Sequence, residues 1–483
     1  MRPLDLLRSS LALIVACGGL ASAETNAPAI AHAVQNRDHR ALKVLLTSRA
    51  DVNIPSADGT TALHWAAHWR EVDTAKLLLS AGANVNAANR YGATALWMAS
   101  SSGDAGMVET LLGAGADPNL RALRGEFPLM AAARAGSVAS VNALLARGAD
   151  VNANESWRGQ TALMWAVGGH ETYPEVVRAL IEHGADVHTR SSGGLTALFF
   201  AVRQNDRAST RLLLTAGADV NDTKAPGGAT ALLTAINNGY DDLAVLLLEN
   251  GANPRVANSA GFSPLHTAIR KRGGSERTSA VVLKALLAHG ADPNVRLPLK
   301  KQPPNFNPIA YPAISDVDYG GATPLWIAAN NADLDALRIL VAAGADPKIP
   351  SMENTTPLMV AAGLGYGLRG PSAGLGGRRI DIQENVIAVL TQLLEWGSDV
   401  NALNDHGQSA IHGAAASAAP NVVQFLADHG ARIDQKDSFG RTPLVVAADN
   451  RTDKYRSNQD LNPALLEPTY AVLVRLSGGT GDR

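Results

Sequence analysis

A seven-residue phrase recurs along the chain at a nearly fixed interval. It reads TALHWAA at residues 61–67 and TALWMAS at 94–100, and nine further versions follow, the last of them TPLVVAA at 442–448. Successive copies begin 33–35 residues apart, except for two intervals of 60 and 53 residues in the C-terminal half. In a chain of 483 residues, such a period indicates stacked copies of one supersecondary unit rather than several independent domains.

Each period predicts two short helices followed by a polar turn. In the first copy Thr61 is the expected N-cap, and Leu63, Ala66 and Ala67 form one apolar helical face. The stretch DTAKLLLSAG predicts a second helix, and Gly82 is expected to end it in the left-handed conformation. We call the polar segment between this glycine and the next phrase the finger.

A second phrase, Gly-Ala-Asp/Asn, starts 21 residues after the first in undisturbed units. Together, Thr-Pro-Leu-His-x-Ala-Ala and Gly-Ala-Asp-Val-Asn resemble the ankyrin repeat, from about residue 27 to the C-terminus. A helix pair of this size cannot bury its apolar face without neighbours. The resemblance implies an all-α solenoid of about twelve units, a curved rod of about 120 Å if successive layers lie about 10 Å apart.

The departures from the period predict the domain organisation. Residues 24–56 are expected to form a divergent N-terminal capping repeat, and residues 57–290 regular repeats. Residues 291–441 are expected to form repeats with long insertions, at 296–321 within a finger and at 363–385 between two helices. The remaining segment, 442–483, is expected to be a C-terminal capping repeat with an insertion and a tail.

Residues 1–23 have the order of a secretory signal peptide. Arg2 and Arg8 precede an apolar run, and Ala21-Ser22-Ala23 follows it. The run is too short to span a bilayer, so we expect cleavage after Ala23 and export to the periplasm or beyond, without a transmembrane segment. Lipidation at Cys17, the single cysteine, is the alternative.

No enzyme motif emerges from the sequence. It contains no Gly-x-Ser-x-Gly, no His-Glu-x-x-His and no kinase motif set, and the glycine-rich stretch 363–377 lacks Gly-Lys-Ser/Thr. His183 and His188 have no third ligand at metal-like spacing. A non-enzymatic protein without cofactor or metal is therefore expected.

Two sets of recurring side chains receive a structural interpretation. The resemblance implies that the phrase histidines, His64, His266 and His412, bond the backbone between repeats. The large aromatic residues at the fifth position of the phrase are expected to pack in the core; they are Trp65, Trp165 and Phe200.

The resemblance also implies where a partner protein binds: beside the finger glycine and just after the first helix, along a concave groove. In the N-terminal half these positions hold His68, Trp69, Arg90, Tyr91, Arg134, Trp157 and Arg158. In the C-terminal half they hold Phe262, Arg270, Tyr319, Phe439 and Arg441. Tryptophan, tyrosine and arginine dominate interface hot spots, which favours a protein-interaction scaffold. The alternative is that these side chains only cover neighbouring backbone.

The charge of the insertions suggests further alternatives. The chain has a formal net charge of −2, yet RKRGGSER, RLPLKK and RGPSAGLGGRR are locally basic. They predict either a solvated surface or a site for an acidic partner or an anionic surface polymer. A small-molecule, glycan or catalytic site at the insertions and a secreted effector that binds a host protein are the other hypotheses. We expect no nucleic-acid partner and a monomer.

Overall fold

The computed structural model describes residues 29–169, 171–223, 225–269, 279–298, 320–364, 379–451 and 463–478. In these ranges the regular structure is helical, with 24 α-helices that form twelve consecutive pairs. The prediction of an all-α repeat fold is therefore confirmed. Residues 1–28, which include the expected signal peptide and Cys17, lie outside the described part of the chain.

Side-chain caps start the helices where the sequence predicts. In the third pair, Thr94 Oγ1 accepts the Trp97 N–H (3.1 Å), and Asp104 Oδ1 accepts the Met107 N–H (3.1 Å) at the start of the second helix. Gly82 ends the second helix of the preceding pair with a φ of +88°, which glycine adopts without a steric penalty.

The described part of the chain divides into two compact units, one up to residue 218 and one from residue 219 onward. In the first unit the helices are α1 (Ala29–Gln35), α2 (His39–Thr47), α3 (Ala62–Trp69), α4 (Val72–Ser80), α5 (Ala95–Ser101), α6 (Ala105–Gly113), α7 (Pro128–Arg134), α8 (Val138–Ala146), α9 (Ala162–Val167), α10 (Pro174–Glu182), α11 (Ala197–Arg203) and α12 (Arg207–Thr215). The first helices of successive pairs pack on one another from α1 to α11, and the second helices from α4 to α12. The core lies between these two rows, where Leu63, Ala66 and Leu78 are buried.

The second unit repeats this arrangement. Its helices are α13 (Ala231–Asn237), α14 (Asp241–Glu249), α15 (Pro264–Ile269), α16 (Ala280–Ala288), α17 (Pro324–Asn330), α18 (Leu334–Ala342), α19 (Pro357–Ala361), α20 (Arg379–Glu395), α21 (Ala410–Ala416), α22 (Pro420–Asp428), α23 (Pro443–Arg451) and α24 (Pro463–Leu476). Helices of five to nine residues are too short to persist alone in water, so packing between neighbouring pairs supplies most of their stability.

An asparagine ladder joins successive repeats at the base of the fingers. Asn119 Nδ2 donates to the Gly148 carbonyl (2.9 Å) in the next repeat, and Asn119 Oδ1 accepts the Asp150 N–H (2.9 Å). The same two bonds are made by Asn53, Asn86, Asn152, Asn221, Asn294 and Asn401. Arg255 stands at the equivalent position and donates from Nε to the Gly290 carbonyl (2.7 Å).

The two ends of the finger insertion are held together by backbone hydrogen bonds. The Leu297 N–H donates to the Ala322 carbonyl (3.0 Å), and the Gly321 N–H donates to the Leu297 carbonyl (2.9 Å). Arg296 secures this closure by donating to the Gly321 and Pro350 carbonyls. Residues 299–319 of this insertion lie outside the described part of the chain.

The between-helix insertion is shorter than predicted. Residues 379–385 belong to α20, which has 17 residues, whereas a nine-residue second helix is usual in this chain. The segment expected between helices over 363–385 therefore ends at residue 378. Residues 365–378 lie outside the described ranges.

We predict that Asn119→Ala lowers the free energy of unfolding by about 1–2 kcal/mol, because two hydrogen bonds between units are lost at an exposed site. Chemical denaturation measures this, and hydrogen exchange of the Asp150 amide is expected to accelerate. The matched control is Asn84→Ala, which removes a bond only within its own turn. Equal effects of the two variants would contradict a ladder that couples units.

Candidate protein-interaction surface

The phrase histidines form hydrogen bonds between neighbouring repeats, as predicted. His64 Nε2 lies 2.8 Å from the Ala93 carbonyl, which can only accept, so Nε2 carries the proton. Nδ1 of the neutral ring accepts the Thr61 N–H (3.1 Å) and the Thr61 hydroxyl (2.8 Å). Burial lowers the pKa of His64, which keeps the ring neutral.

His266 and His412 repeat this geometry. Their Nε2 atoms lie 3.2 Å from the Ala322 and Arg441 carbonyls, respectively. Burial lowers the pKa of His266 from 6.5 to about 4, and it lowers the pKa of His412 in the same direction. Trp326 stands at the same phrase position and donates from Nε1 to the Thr355 carbonyl (2.9 Å). These three histidines and Trp326 all make hydrogen bonds that hold neighbouring repeats together, and none is poised for proton transfer.

Three further histidines close second helices. The Nδ1 atoms of His183, His289 and His429 lie 2.7–2.9 Å from the carbonyl four residues earlier, so each donates to the last turn of its helix. Within the described ranges, no group of three or more His, Cys, Asp or Glu side chains could hold a metal ion.

An aromatic cluster forms at the C-terminal end of α3. Trp69 is 39% exposed and stacks on Trp65, with ring centroids 6.4 Å apart and planes at 21°. His68 meets the Trp69 ring edge-on at 4.7 Å, and burial lowers the pKa of His68. The guanidinium of Arg37, from the preceding repeat, lies 5.9 Å from the Trp69 ring centroid. One face of Trp69 is thus supported while the side chain remains accessible.

In the first compact unit, main-chain hydrogen bonds connect the tip of each finger to the tip of the next. Arg90 N–H donates to the Asp58 carbonyl (2.9 Å), and Leu123 N–H donates to the Tyr91 carbonyl (2.7 Å). The row continues from Ser156 N–H to the Arg124 carbonyl and from Ser192 N–H to the Arg158 carbonyl. We call residues 90–92, 121–126, 155–159 and 190–194 the tip row. Arg90 lies over the ring of Tyr91 at 4.9 Å.

Trp157 is the most exposed aromatic residue of the tip row, with 57% of its surface accessible. The Arg158 guanidinium lies 4.0 Å from its ring centroid, and that of Arg124 lies 5.0 Å away. Glu155 is only 3% exposed and accepts the N–H groups of Trp157, Arg158 and Gln160, which fixes the loop. The finger therefore presents a tryptophan flanked by two cations on a preorganised backbone.

Arg134 is placed deeper than Trp157. Its guanidinium lies 4.8 Å from the Trp165 ring centroid, and the side chain is half-buried. Burial raises the pKa of the neighbouring Glu126, while the positive charges of Arg134 and Arg124 act in the opposite direction. Arg134 thus links the end of α7 to α9 in the next pair.

In the second unit, the predicted residues occupy fingers too. Phe262 is half-buried and meets His266 edge-on at 6.3 Å. Phe439 is 44% exposed beneath the guanidinium of Arg441, which also pairs with Asp437 at 2.8 Å. Arg270 and Tyr319 lie outside the described residues.

The structure adds tip residues that the sequence analysis left out. Arg124 and Leu123, which is 59% exposed, are the two residues before the finger Gly125. The positional rule that selected Arg90 and Tyr91 would have found them. Arg37 is different, since only the packing of the first unit brings it to Trp69.

The expectation of core packing for Trp65, Trp165 and Phe200 is met only in part. All three are half-buried, whereas the smaller residues Ile327 and Val360 at the same fifth position of the phrase are buried. The third position is more uniform, and Leu63 and Leu163 are both buried there.

The chain belongs to the ankyrin repeat family. A family model described as "Ankyrin repeats (3 copies)" matches residues 30–122, 102–191, 129–224, 198–296 and 381–466, and one described as "Ankyrin repeat" matches 320–351. Such repeats are in general modules of protein–protein interaction, and the family is typically non-catalytic.

Curated relatives share the repeats over parts of their length. The chain is 26% identical over 310 residues to Transient receptor potential cation channel subfamily A member 1 of Homo sapiens (59% of this chain, 25% of the relative). It is 35% identical over 132 residues to Putative ankyrin repeat protein FPV031 of Fowlpox virus (27% and 37%). It is 31% identical over 194 residues to B-cell lymphoma 3 protein homolog of Mus musculus (39% and 37%). The chain thus spans 37% or less of the length of each of these three relatives.

We predict that acid destabilises the fold through the buried histidines. The unfolded chain binds a proton at His266 below pH 6.5, whereas the folded chain does so only near pH 4. The stabilisation is therefore complete above pH 6.5 and decreases by about 3 kcal/mol as the pH falls to 4. Thermal denaturation across this range measures the loss.

His266→Gln is expected to be less stable at pH 7 and to show a shallower loss between pH 6.5 and 4, because the titrating ring is gone. His188→Gln, at an exposed histidine, is the control. An unchanged slope in His266→Gln would disprove the assignment.

Proposed function

We propose that this protein is a non-enzymatic scaffold that binds a partner protein through the tip row and the first-helix ends of the first unit. The observation that carries the proposal is the pair of exposed tryptophans, Trp69 and Trp157, each supported by arginine or aromatic neighbours. An exposed tryptophan contributes little to the stability of a monomer, whereas at an interface it is among the most effective anchors.

The rigidity of the array supports this function. Main-chain hydrogen bonds hold the tips in register, and Glu155 fixes the loop beneath Trp157. Preorganised side chains lose little conformational entropy when they bind, so more of the contact energy appears as affinity. Discrimination between partners then depends on the identity of the tip side chains.

Affinity capture with the full chain as bait tests the proposal. We predict that the triple variant Trp69→Ala, Tyr91→Ala and Trp157→Ala loses the captured partner, with an affinity at least about 100-fold weaker, because hot-spot aromatics each contribute more than 1 kcal/mol. The matched control truncates three exposed apolar side chains on second helices: Val44, Leu77 and Val281. Equal binding by parent and aromatic variant would refute the assigned surface.

We propose further that the chain is exported and acts in the periplasm or outside the cell. The signal-like order of residues 1–23 supports this. The described helices include none long and apolar enough to cross a bilayer. Cell fractionation with mass spectrometry of the mature N-terminus is expected to find Glu24 first. A lipid-modified Cys17 would replace cleavage after Ala23, and an intact cytoplasmic chain would refute export.

A further inference from the structure

In the tip row, the negative side chains are more buried than the positive ones. Its seven charged residues are five arginines and two glutamates: Arg90, Arg121, Arg124, Arg158, Arg190, Glu126 and Glu155. Glu155 is buried and satisfied by backbone N–H groups, and Glu126 is half-buried near Arg134. The guanidinium groups are therefore the charges that the row presents to solvent, most fully at Arg90, Arg121, Arg124 and Arg158.

The aspartates nearest to the row point to a different place. Asp117, Asp150 and Asp186 begin the fingers at their base, and each accepts the backbone N–H two residues on within its own turn. Asp58, on the preceding finger, likewise accepts the N–H of Thr60. These carboxylates shape turns, and the tips beyond them are positive.

Four arginines of the row lie over aromatic rings. The guanidinium carbon is 5.2 Å from the ring centroid for Arg121 over Phe127, 4.9 Å for Arg90 over Tyr91, and 5.0 and 4.0 Å for Arg124 and Arg158 around Trp157. Arg90 also donates from Nη2 to the Tyr91 hydroxyl (2.8 Å). A guanidinium held in place over a ring is a planar fork of donors, which matches the geometry of a carboxylate.

Arg124 is held at a backbone conformation that favours glycine. Its φ is +71°, and the equivalent 3-10 turn in the second unit has Gly227 there, with a φ of +75°. A non-glycine residue pays a steric cost in this region. Positive φ values also occur at Arg37, Arg49, Arg70 and Ala332, so the conformation assigns no role by itself. It does allow the Arg124 side chain to be removed by glycine without backbone strain.

We propose that the tip row binds an extended, acidic segment of the partner protein, with carboxylates at every third residue facing successive fingers. This inference rests on the proposed function and names the chemistry of its partner. Packed helical layers lie about 10 Å apart. An extended segment in the polyproline II conformation has about three residues per turn and rises about 3.1 Å per residue, so residues three apart lie on one face and are spaced by about one layer. A segment rich in carboxylates is also extended before it binds, because its charges repel one another.

The test measures binding of labelled peptides of about 13 residues to the full chain at physiological salt. One peptide carries glutamate at every third position in a serine–threonine–valine background. A second has the same composition with its glutamates contiguous, and a third has glutamine in place of every glutamate. The spaced peptide is expected to bind about tenfold more tightly than the contiguous one, to weaken as salt rises and to lose affinity as the glutamine form.

Paired variants localise the binding. Replacement of Arg90, Arg124 and Arg158 by glutamine is expected to weaken the spaced peptide about tenfold or more. The matched control removes the same charge from second helices, at the exposed Arg40, Arg178 and Arg211, and is expected to bind as the parent does. Equal losses in the two triple variants would overturn the proposal, since net charge alone would then drive binding.

Arg124→Gly separates binding from folding. Because glycine relieves the positive φ, the variant is expected to be at least as stable as the parent in thermal denaturation, yet to bind the spaced peptide more weakly. Unchanged affinity in this variant would remove Arg124 from the contact and contradict the proposal.

The remaining outcomes distinguish this inference from the proposed function. If the aromatic triple variant loses a captured partner while no acidic peptide binds, the acidic segment is refuted and the scaffold function stands. If neither capture nor peptide binding depends on the tip row, both fail. Tighter binding of a heparin oligosaccharide than of the spaced peptide would identify an anionic polymer as the ligand and overturn a peptide partner.

Discussion

The asparagine ladder is the interaction on which the rest of this structure depends. Each amide bonds a carbonyl and an N–H of the next unit, so it fixes both the distance and the register between two helix pairs that would not fold alone. In three repeats, the buried histidines His64, His266 and His412 add a second hydrogen bond, from the start of the first helix to a carbonyl just before the first helix of the next repeat. Together these bonds convert loosely amphipathic helices into ordered rows.

The residues that hold neighbouring repeats together are different from the residues whose side chains are accessible to a partner. Ladder amides and phrase histidines direct their polar atoms at neighbouring backbone. In contrast, Arg90, Arg124 and Arg158 use their main chain for register between tips, and the side chains of Trp69 and Trp157 remain accessible. This division lets one scaffold tolerate different tip side chains, since their replacement leaves the main-chain bonds between tips intact.

The fold was legible in the sequence because its determinants are local and repeated. N-cap threonines and helix-ending glycines act within one repeat, and bridging histidines reach only the next repeat. The structure has all three where the period places them. Other features depend on neighbours. Trp97 and Trp326 share one phrase position. Trp326 is buried and donates to the Thr355 carbonyl, whereas Trp97 is half-buried and its indole N–H has no partner in the described residues. The approach of Arg37 to Trp69 and the early start of α20 likewise had no local signal.

The bonds between finger tips run from Asp58 and Arg90 to Arg158 and Ser192 and are made mainly by the main chain, with one further bond from the Ser156 hydroxyl to the Arg124 carbonyl. A new repeat inserted between two others would meet the same main-chain carbonyls and amides at the tips on either side. The gene can therefore lengthen or shorten the array by whole periods, through duplication or deletion, without redesigning a junction. Such a surface can change its reach in steps of one layer and its chemistry one residue at a time.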